Sequence, residues 1–460
     1  MAQTDGSPTV ADRSNERLDR RVLLTVLSCV VVFTASMTIV SASLPTMADD
    51  LDSSESLLSW AVTGLFLVMS VSTPVMGRLG DGYGHRRVFL AGTVVLAVGT
   101  LACAVAPTAI LFVAARMVVG LGISATMPNG IAIIMEAHPV ALRGEAMGWF
   151  QMAMTGAPVL GLVVGGPLIE AFGWRSVFGV LFPMSLVGFA LAIKVIPDDR
   201  DSRTPVPIDV RGALTLATAT LGFLLWLQFG GSDGLLTPMP LALLAIGAVS
   251  LVAFVMIEQR VEFPLLRLDY FRRRNFTGPL INHPLSQFAY MGSFLISPIM
   301  LDEAFGYSVA AVALILLFRP AAFSITSPAG GKLASRVGER PMLIVGTALM
   351  VASMLTWVFA ALWVDLWLVI LGLVLSGLAM GLSSPSYQTA VANAVEPSDL
   401  GIANGMGSTL MNIGMLTGIQ VMFTVLGDGR EPADFARTFA VGALAAAIGV
   451  TGALVMDRRR

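Results

Sequence analysis

The sequence predicts an all-α integral membrane protein built from two related six-helix bundles with two helices inserted between them. Three observations lead there. The 460-residue chain is 55% hydrophobic and only 13% charged, about half the charge of an ordinary soluble domain, and its mean hydropathy is +0.80. Apolar runs long enough to cross a bilayer core, about 20 residues each, recur through the chain. Finally, glycine- and arginine-bearing stretches of the first part reappear in the second at a nearly constant offset.

The same composition excludes several classes. Disordered, collagenous and disulfide-stapled proteins do not carry such numbers. Cys29 and Cys103 lie inside apolar runs and build neither a disulfide framework nor a zinc site. Three histidines make a histidine metal centre an unlikely design, so no metal and no cofactor is expected. The net charge of −2, with no basic domain, gives no footprint for nucleic acid.

Taken in order, the spans are Val22–Leu44 (TM1), Leu57–Gly77 (TM2), Val88–Val105 (TM3), Thr108–Met135 (TM4), Ala146–Ile169 (TM5), Ser176–Val195 (TM6), Gly212–Phe229 (TM7) and Pro238–Ile257 (TM8). The second part continues with Phe276–Met300 (TM9), Ser308–Pro328 (TM10), Pro341–Ala361 (TM11), Leu366–Val391 (TM12), Gly401–Leu426 (TM13) and Thr438–Met456 (TM14). Ser41-Ala42-Ser43 resembles a signal-peptide cleavage site, but the apolar run before it is too long for one and thirteen further spans follow. Pro107 marks the turn between TM3 and TM4.

Charge sidedness supports the count. With both termini inside, 23 of the 28 Lys and Arg fall in cytoplasmic segments. Arg175, Arg430 and Arg437 are external, while Arg116 and Arg319 lie within spans. This is the positive-inside pattern, and it places the chain as a multi-pass protein of a plasma membrane with cytoplasmic termini.

The repeat is read from two alignments. Gly77–Arg87 matches Gly331–Arg340 at an offset of 254, and Gly120, Pro128, Gly144 and Gly148 match Gly377, Pro385, Gly401 and Gly405 at 257. The expected organisation is an N-terminal tail (1–21), a first six-helix bundle (22–196), cytoplasmic loops with the inserted TM7 and TM8 (197–274), a second bundle (275–456) and a short tail (457–460). Two parallel halves about an axis along the membrane normal is a secondary-transporter architecture.

These residues also carry a family resemblance. Gly77–Arg87 resembles the loop motif of major facilitator superfamily transporters. Arg116-Met117-Val118-Val119-Gly120 is similar to that superfamily's TM4 arginine motif, and Gly156–Pro167 to its antiporter motif. Thr38–Pro45 with Trp60–Thr63 resembles the 14-span drug:proton antiporter family. The resemblance covers essentially the whole chain. It implies the major facilitator fold and export of small lipophilic compounds in exchange for protons. It further implies coupling and gating through Asp81, Arg86, Arg87, Arg116 and Gly120, and an external seal made by Gly156, Gly161, Gly165 and Gly166. Two positions depart from the pattern. Leu162 stands where the family usually has Pro, and Ser36 where cation-exporting relatives commonly have Asp.

Read as chemistry, the glycines of Gly77–Gly84 suit a tight reversal, and Asp81 just before TM3 suits a helix N-terminus or a nearby arginine. Ser335 replaces Asp81 in the second copy, so a latch there is asymmetric. Arg116 and Arg319 are costly inside a membrane and need a cavity or a partner. All acids lie in loops or at span ends, which leaves a cavity favouring neutral or anionic lipophilic substrates. Asp81, Glu136 and His283 are the candidate proton carriers. Ser36, Asn129, Gln151, Asn282, Gln287, Tyr290, Arg319, Tyr387, Gln388, Asn404 and Asn412 are candidate cavity groups, with Met152 and Phe288 as adaptable apolar contacts. Gln420 and Met154 belong to the same set. The segment Glu258–Asn275, with Arg260, Arg267 and Arg272–Arg274 among aromatic and leucine residues, reads as an amphipathic stretch on the cytoplasmic leaflet. The expected partners are a small lipophilic substrate, protons and the bilayer, with the protein a monomer. A proton-independent facilitator is the nearest rival. A polytopic membrane enzyme or sensor is the rival from another class, opposed by the lack of any phosphate loop, nucleophile motif or long soluble loop.

Overall fold

The structure, a computed structural model, describes residues 18–197, 209–234, 236–261, 264, 268–427 and 429–457. Among them are sixteen α-helices and two short 3₁₀ turns. The first group is α1 (Arg20–Ala42), α2 (Leu44–Asp50), α3 (Glu55–Tyr83), α4 (His85–Val105), α5 (Ala109–Ala137), α6 (Val140–Phe172) and α7 (Arg175–Val195). Then come α8 (Val210–Asp233) and α9 (Pro238–Glu258). The last group is α10 (Arg274–Glu303), α11 (Val309–Leu316), α12 (Phe318–Val337), α13 (Glu339–Trp363), α14 (Leu366–Asn393), α15 (Leu400–Leu426) and α16 (Pro432–Val455). Among the described residues, eleven helical segments are long and apolar enough to cross a membrane. The helices α1, α6 and α10, outside that group, run for 23, 33 and 30 residues.

The helix ends follow local chemistry. Ser54, Thr108, Asp209, Ser308 and Asp365 accept hydrogen bonds from backbone N–H groups of the turns they open, satisfying donors that a helix start leaves unpaired. Gly84 and Gly338 close α3 and α12 at φ 100° and 93°, a conformation that suits glycine.

In the first group α5 packs on α3 and α4, and α1 on α6 and α7. In the last group α13 packs on α14 and α16, and α10 on α15 and α16. The two groups meet along α3 with α15 and along α6 with α12. Helices α8 and α9 form a hairpin, and α8 rests on α3 and α15. Each group has its own apolar interior, one centred on Phe112, Trp174 and Phe178 and the other on Trp357, Phe435 and Phe439.

Three expectations are corrected. The stretch Gly77–Gly84 is not a glycine-built loop: α3 runs on to Tyr83 and the reversal falls at Gly84 alone. Backbone hydrogen bonding continues the helix because Gly77, Gly80 and Gly82 meet no turn-forming demand; at Gly77 and Gly80 glycine is needed for close approach. TM1 ends earlier than expected, at Ala42, with Pro45 near the start of a separate short helix. TM10 is not one helix either, because α11 and α12 break at Leu317. The amphipathic reading of Glu258–Asn275 falls partly outside the described residues, at 262–263 and 265–267; within it Leu268–Arg272 is a 3₁₀ turn.

Candidate gate and transport site

The two groups of helices touch through backbone at the end of the molecule that carries Asp81. Gly77 on α3 faces Gly401 on α15 so closely that a Cβ on either would overlap the other's carbonyl oxygen. One turn along, a Cβ on Gly405 would lie 2.8 Å from Pro74 Cα. The second seam joins α12 to α6: Gly331 faces Gly144, and a Cβ on Gly148 would lie 2.8 Å from Pro328 Cα. These are the repeat partners themselves, since Gly77 and Pro74 correspond to Gly331 and Pro328, and Gly401 and Gly405 to Gly144 and Gly148. Small residues at all these positions let helix backbones meet.

One seam is latched by charge and the other is not. Asp81 accepts hydrogen bonds from Gly401 N (2.7 Å) and Ile402 N (2.8 Å). A carboxylate there meets unpaired donors and the positive end of the α15 dipole. The helix it caps is therefore α15 of the other group. Arg78, a turn earlier, pairs with Asp399 at 3.2 Å. Asp399 also accepts from the Tyr270 hydroxyl at 2.5 Å. Burial first, then that hydrogen bond, push the Tyr270 hydroxyl up to about 12, so it stays protonated and donating at physiological pH. At the second seam Ser335 donates to Gly331 O within its own helix (3.2 Å). The expected asymmetry is visible in the bonds.

Behind Asp81 sits His85, fully buried. Its Nδ1 lies 2.8 Å from Asn129 Oδ1, and its Nε2 lies 3.5 Å from both Asp81 Oδ1 and Glu136 Oε1. Asn129, expected in the cavity, donates to Met76 O (3.0 Å) and Ala125 O (2.8 Å) and lies beside His85. Arg86 donates to Ile193 O at the end of α7, and its repeat partner Arg340 to Leu454 O at the end of α16; cations suit helix C-termini. Arg87 is exposed. His85, Asp399 and Tyr270 were not singled out from the sequence. His85 was in plain view inside the eleven-residue motif, between Gly84 and Arg86; Asp399 reaches the seam only through tertiary packing.

Farther from this end the two groups also meet through side chains. Thr409 donates to Ser70 O (3.1 Å) and Asn412 to Ser70 Oγ (3.3 Å). A Cβ on Gly156 would meet only Ser324 Oγ, at 3.6 Å. Gly161 is partly and Gly165 fully buried; the surroundings of Gly166 lie outside the described residues. Gly120 packs against Leu65, where a Cβ would lie 2.9 Å from the carbonyl oxygen.

The two membrane arginines are buried and each lies against hydroxyl and carbonyl groups. Arg116 donates to Ser36 Oγ (3.2 Å) and Ala61 O (3.3 Å). Arg319 donates to Tyr290 O and to Ser293 Oγ (3.2 Å), with its guanidinium 3.6 Å from the Tyr290 ring centroid. Its Nε and Nη1 have no partner among the described residues.

The remaining polar residues divide. His283 stacks on Tyr387 with centroids 4.2 Å apart, and Gln287 Nε2 approaches His283 Nε2 at 3.5 Å. Tyr387 donates to Gly407 O. His283 Nδ1, Gln287 Oε1, Gln388 Oε1 and Asn404 Nδ2 are buried without a partner among the described residues; buried polar atoms left this way call for a ligand, water or rearrangement. Asn282 ties α10 to α13 and α16 through Thr347 Oγ1 and Gly449 O, both 2.8 Å, while its Oδ1 is buried without a partner among the described residues. Gln151 is buried, Met152 partly so, and Phe288 lies against Gly418. A separate cavity of about 1190 Å³ at the Asp81 end is lined by Arg143, Arg272, Arg273, Arg274, Arg340 and Glu339, among others, and by none of this set.

Comparison with known proteins accounts for this arrangement. The family model described as Major Facilitator Superfamily matches residues 26–266 and 285–460. The chain is 29% identical over 422 residues to the multidrug resistance protein B homolog of Mycobacterium tuberculosis (strain ATCC 25618 / H37Rv), covering 90% of this chain and 77% of that protein. It is 27% identical over 408 residues to the tetracenomycin C resistance and export protein of Streptomyces glaucescens, covering 87% and 74%. Among solved structures, the human organic anion transporter MFSD10 (TETRAN) superposes with a TM-score of 0.67 over 95% of this chain and 99% of that one, at 16% identity, a likeness of fold. The chain is a multi-pass membrane protein that belongs to the Major Facilitator Superfamily, a family of transporters rather than enzymes.

Proposed function

We propose that the protein exports small lipophilic compounds, antibiotics or other toxic molecules, in exchange for protons by alternating access. The observation that carries this reading is the pair of matched backbone seams, one of them capped by Asp81, at which two homologous helical groups meet. Relatives named for multidrug resistance and for antibiotic resistance and export support the direction and class of cargo. The functional halves are residues 22–196 and 275–456, with fourteen spans in the plasma membrane of a bacterial-type cell, and the transporter acts as a monomer. Both termini and the Asp81 end face the cytoplasm, by the distribution of Lys and Arg. The conformation described is then closed to the cytoplasm.

The cargo is neutral or anionic. Arg116 and Arg319 are buried cations, Arg319 with its Nε and Nη1 unpartnered among the described residues, and Ser36 occupies the place where a cation exporter would set a carboxylate. The partnerless polar atoms of His283, Gln287, Gln388 and Asn404 orient it. One proton suffices as fuel. A potential of ~100 mV supplies about 2.3 kcal/mol per charge and one pH unit about 1.4, together enough for a gradient of several hundred-fold. Drug-dependent movement of protons out of the lumen of everted vesicles is the test. A proton-independent facilitator, which Ser36 and Leu162 favour, would move substrate with no pH change.

A further inference from the structure

We infer that the closed gate holds a proton on His85 Nε2, between the carboxylates of Asp81 and Glu136, and that opening of the Asp81 end releases it. The inference deepens the transport reading, because it assigns the residue through which protons act on the gate.

Hydrogen-bond direction fixes the tautomer. Asn129 spends its amide donors on two carbonyl oxygens, Met76 O and Ala125 O. Its Oδ1 is therefore an acceptor, and the His85 Nδ1 at 2.8 Å must donate to it. With the Nδ1 proton placed, a neutral ring would present a lone pair at Nε2. That atom instead faces two carboxylate oxygens, Asp81 Oδ1 and Glu136 Oε1, each at 3.5 Å. A lone pair between two anions is repelled; an N–H⁺ there is attracted to both. The ring is buried, so without that proton Asp81 would lack a cation at its inner side.

The repeat shows that this is particular to one seam. His85 corresponds to Glu339 and Glu136 to Asn393. In the second copy Asn393 Nδ2 donates to Glu339 Oε1 at 3.1 Å, a pair that is complete without any further proton. Asp81 corresponds to Ser335, which does not ionise. One architecture thus carries a titrating trio in the first copy and a fixed-polarity set in the second.

The route outward is short. The Glu136 side chain is 34% exposed while that of His85 is 0%, so Glu136 relays the proton between His85 and water. On release, Nε2–H passes its proton to Glu136 and then to solvent. His85 becomes neutral, Asp81 loses its inner cation, and its grip on Gly401 N and Ile402 N weakens. The other charges acting here are Arg143 on α6, which interacts with Glu136, and Arg78 and Asp399, which act on Asp81; Arg86 and Arg87 follow on the same helix as His85. The closed gate is therefore favoured at low pH and lost as pH rises through the His85 titration.

The test uses the full chain in lipid nanodiscs, with spin labels at Tyr83→Cys and Ser398→Cys, two exposed positions flanking the gate, and distances recorded from pH 5 to 9. Wild type should shift from a short to a longer distance as pH rises. His85→Arg, permanently cationic, should stay closed throughout, and His85→Gln should lose the pH response. Glu136→Gln, at a partly exposed site, should move the midpoint down by about one unit, and keeps the test alive if the His85 variants do not fold. A pH-independent wild-type distance, or His85→Gln or Glu136→Gln responding at the wild-type midpoint, overturns the inference. Proton flux in vesicles alongside a pH-insensitive gate would remove His85 and keep antiport; a pH-sensitive gate without drug-driven flux would do the reverse.

Discussion

At the scale of single residues, the structure separates groups that hold the fold from groups that wait for a change of state. Tyr387 is satisfied within the last group of helices, and Asn282 places its Nδ2 on two partners there. Arg319 is not: a buried cation set against oxygens and aromatic rings, with Nε and Nη1 unpartnered among the described residues. Replacing such a charge with an apolar side chain of similar volume is often neutral or stabilising, by up to about 4 kcal/mol. Arg319→Met is therefore expected to leave the thermal midpoint in detergent unchanged or raised. At the same time it should abolish export of carboxylate-bearing compounds and spare neutral ones in susceptibility assays; loss of both stability and all export would mark Arg319 as structural. Asp81→Asn keeps the shape of the latch and removes its charge. Hydrogen bonds to charged groups contribute roughly 1.5–3 kcal/mol, so the closed population should fall about ten- to a hundredfold, read by thiol accessibility of a cysteine placed beside Gly401. Asp50, at the opposite end, has its carboxyl held below the usual range by the Arg175 hydrogen bond. That pair favours the native state above the carboxylate's ordinary range and fades as pH falls through the lowered value.

At the scale of helices, the seams decide behaviour more than propensity does. Gly331 sits in the interior of α12, where a β-branched residue is tolerable for the helix but overlaps Gly144. Gly331→Val should yield folded, membrane-inserted protein that cannot close the Asp81 end, with export abolished; cross-linking of cysteines across α6 and α12 reports the failure. Helix starts give a contrasting prediction. Asp365 accepts from Trp367 N (2.7 Å) and Leu368 N (3.3 Å), and Asp365→Ala should cost about 1 kcal/mol in thermal unfolding while export persists. The same contrast explains what the sequence made legible here. Uninterrupted apolar length marks a membrane helix, so α4, α5, α13 and α14 were visible in advance. The continuation of α3 through Gly77, Gly80 and Gly82 was not, because three glycines in six residues look like a turn until the neighbours that need the missing side chains at Gly77 and Gly80 are in place.

At the scale of the whole molecule, a reporter fused beyond Met456 should map to the same face as the N-terminus. An opposite result would end the two-bundle topology, since the repeat would then run antiparallel. What the sequence determined alone was the class, through composition, the spans and the internal repeat: a bilayer imposes a length and a polarity that each segment must meet by itself, so these properties are local and readable. What only the tertiary structure decided was which repeated residues meet. Asp81 was expected at a helix N-terminus or a nearby arginine, and the helix is α15, some 320 residues on; Asn129, expected in a cavity, accepts from His85. Their roles depend on distances across the chain of a few ångströms, set by the packing of backbones against backbones, and no spacing within one helix encodes them.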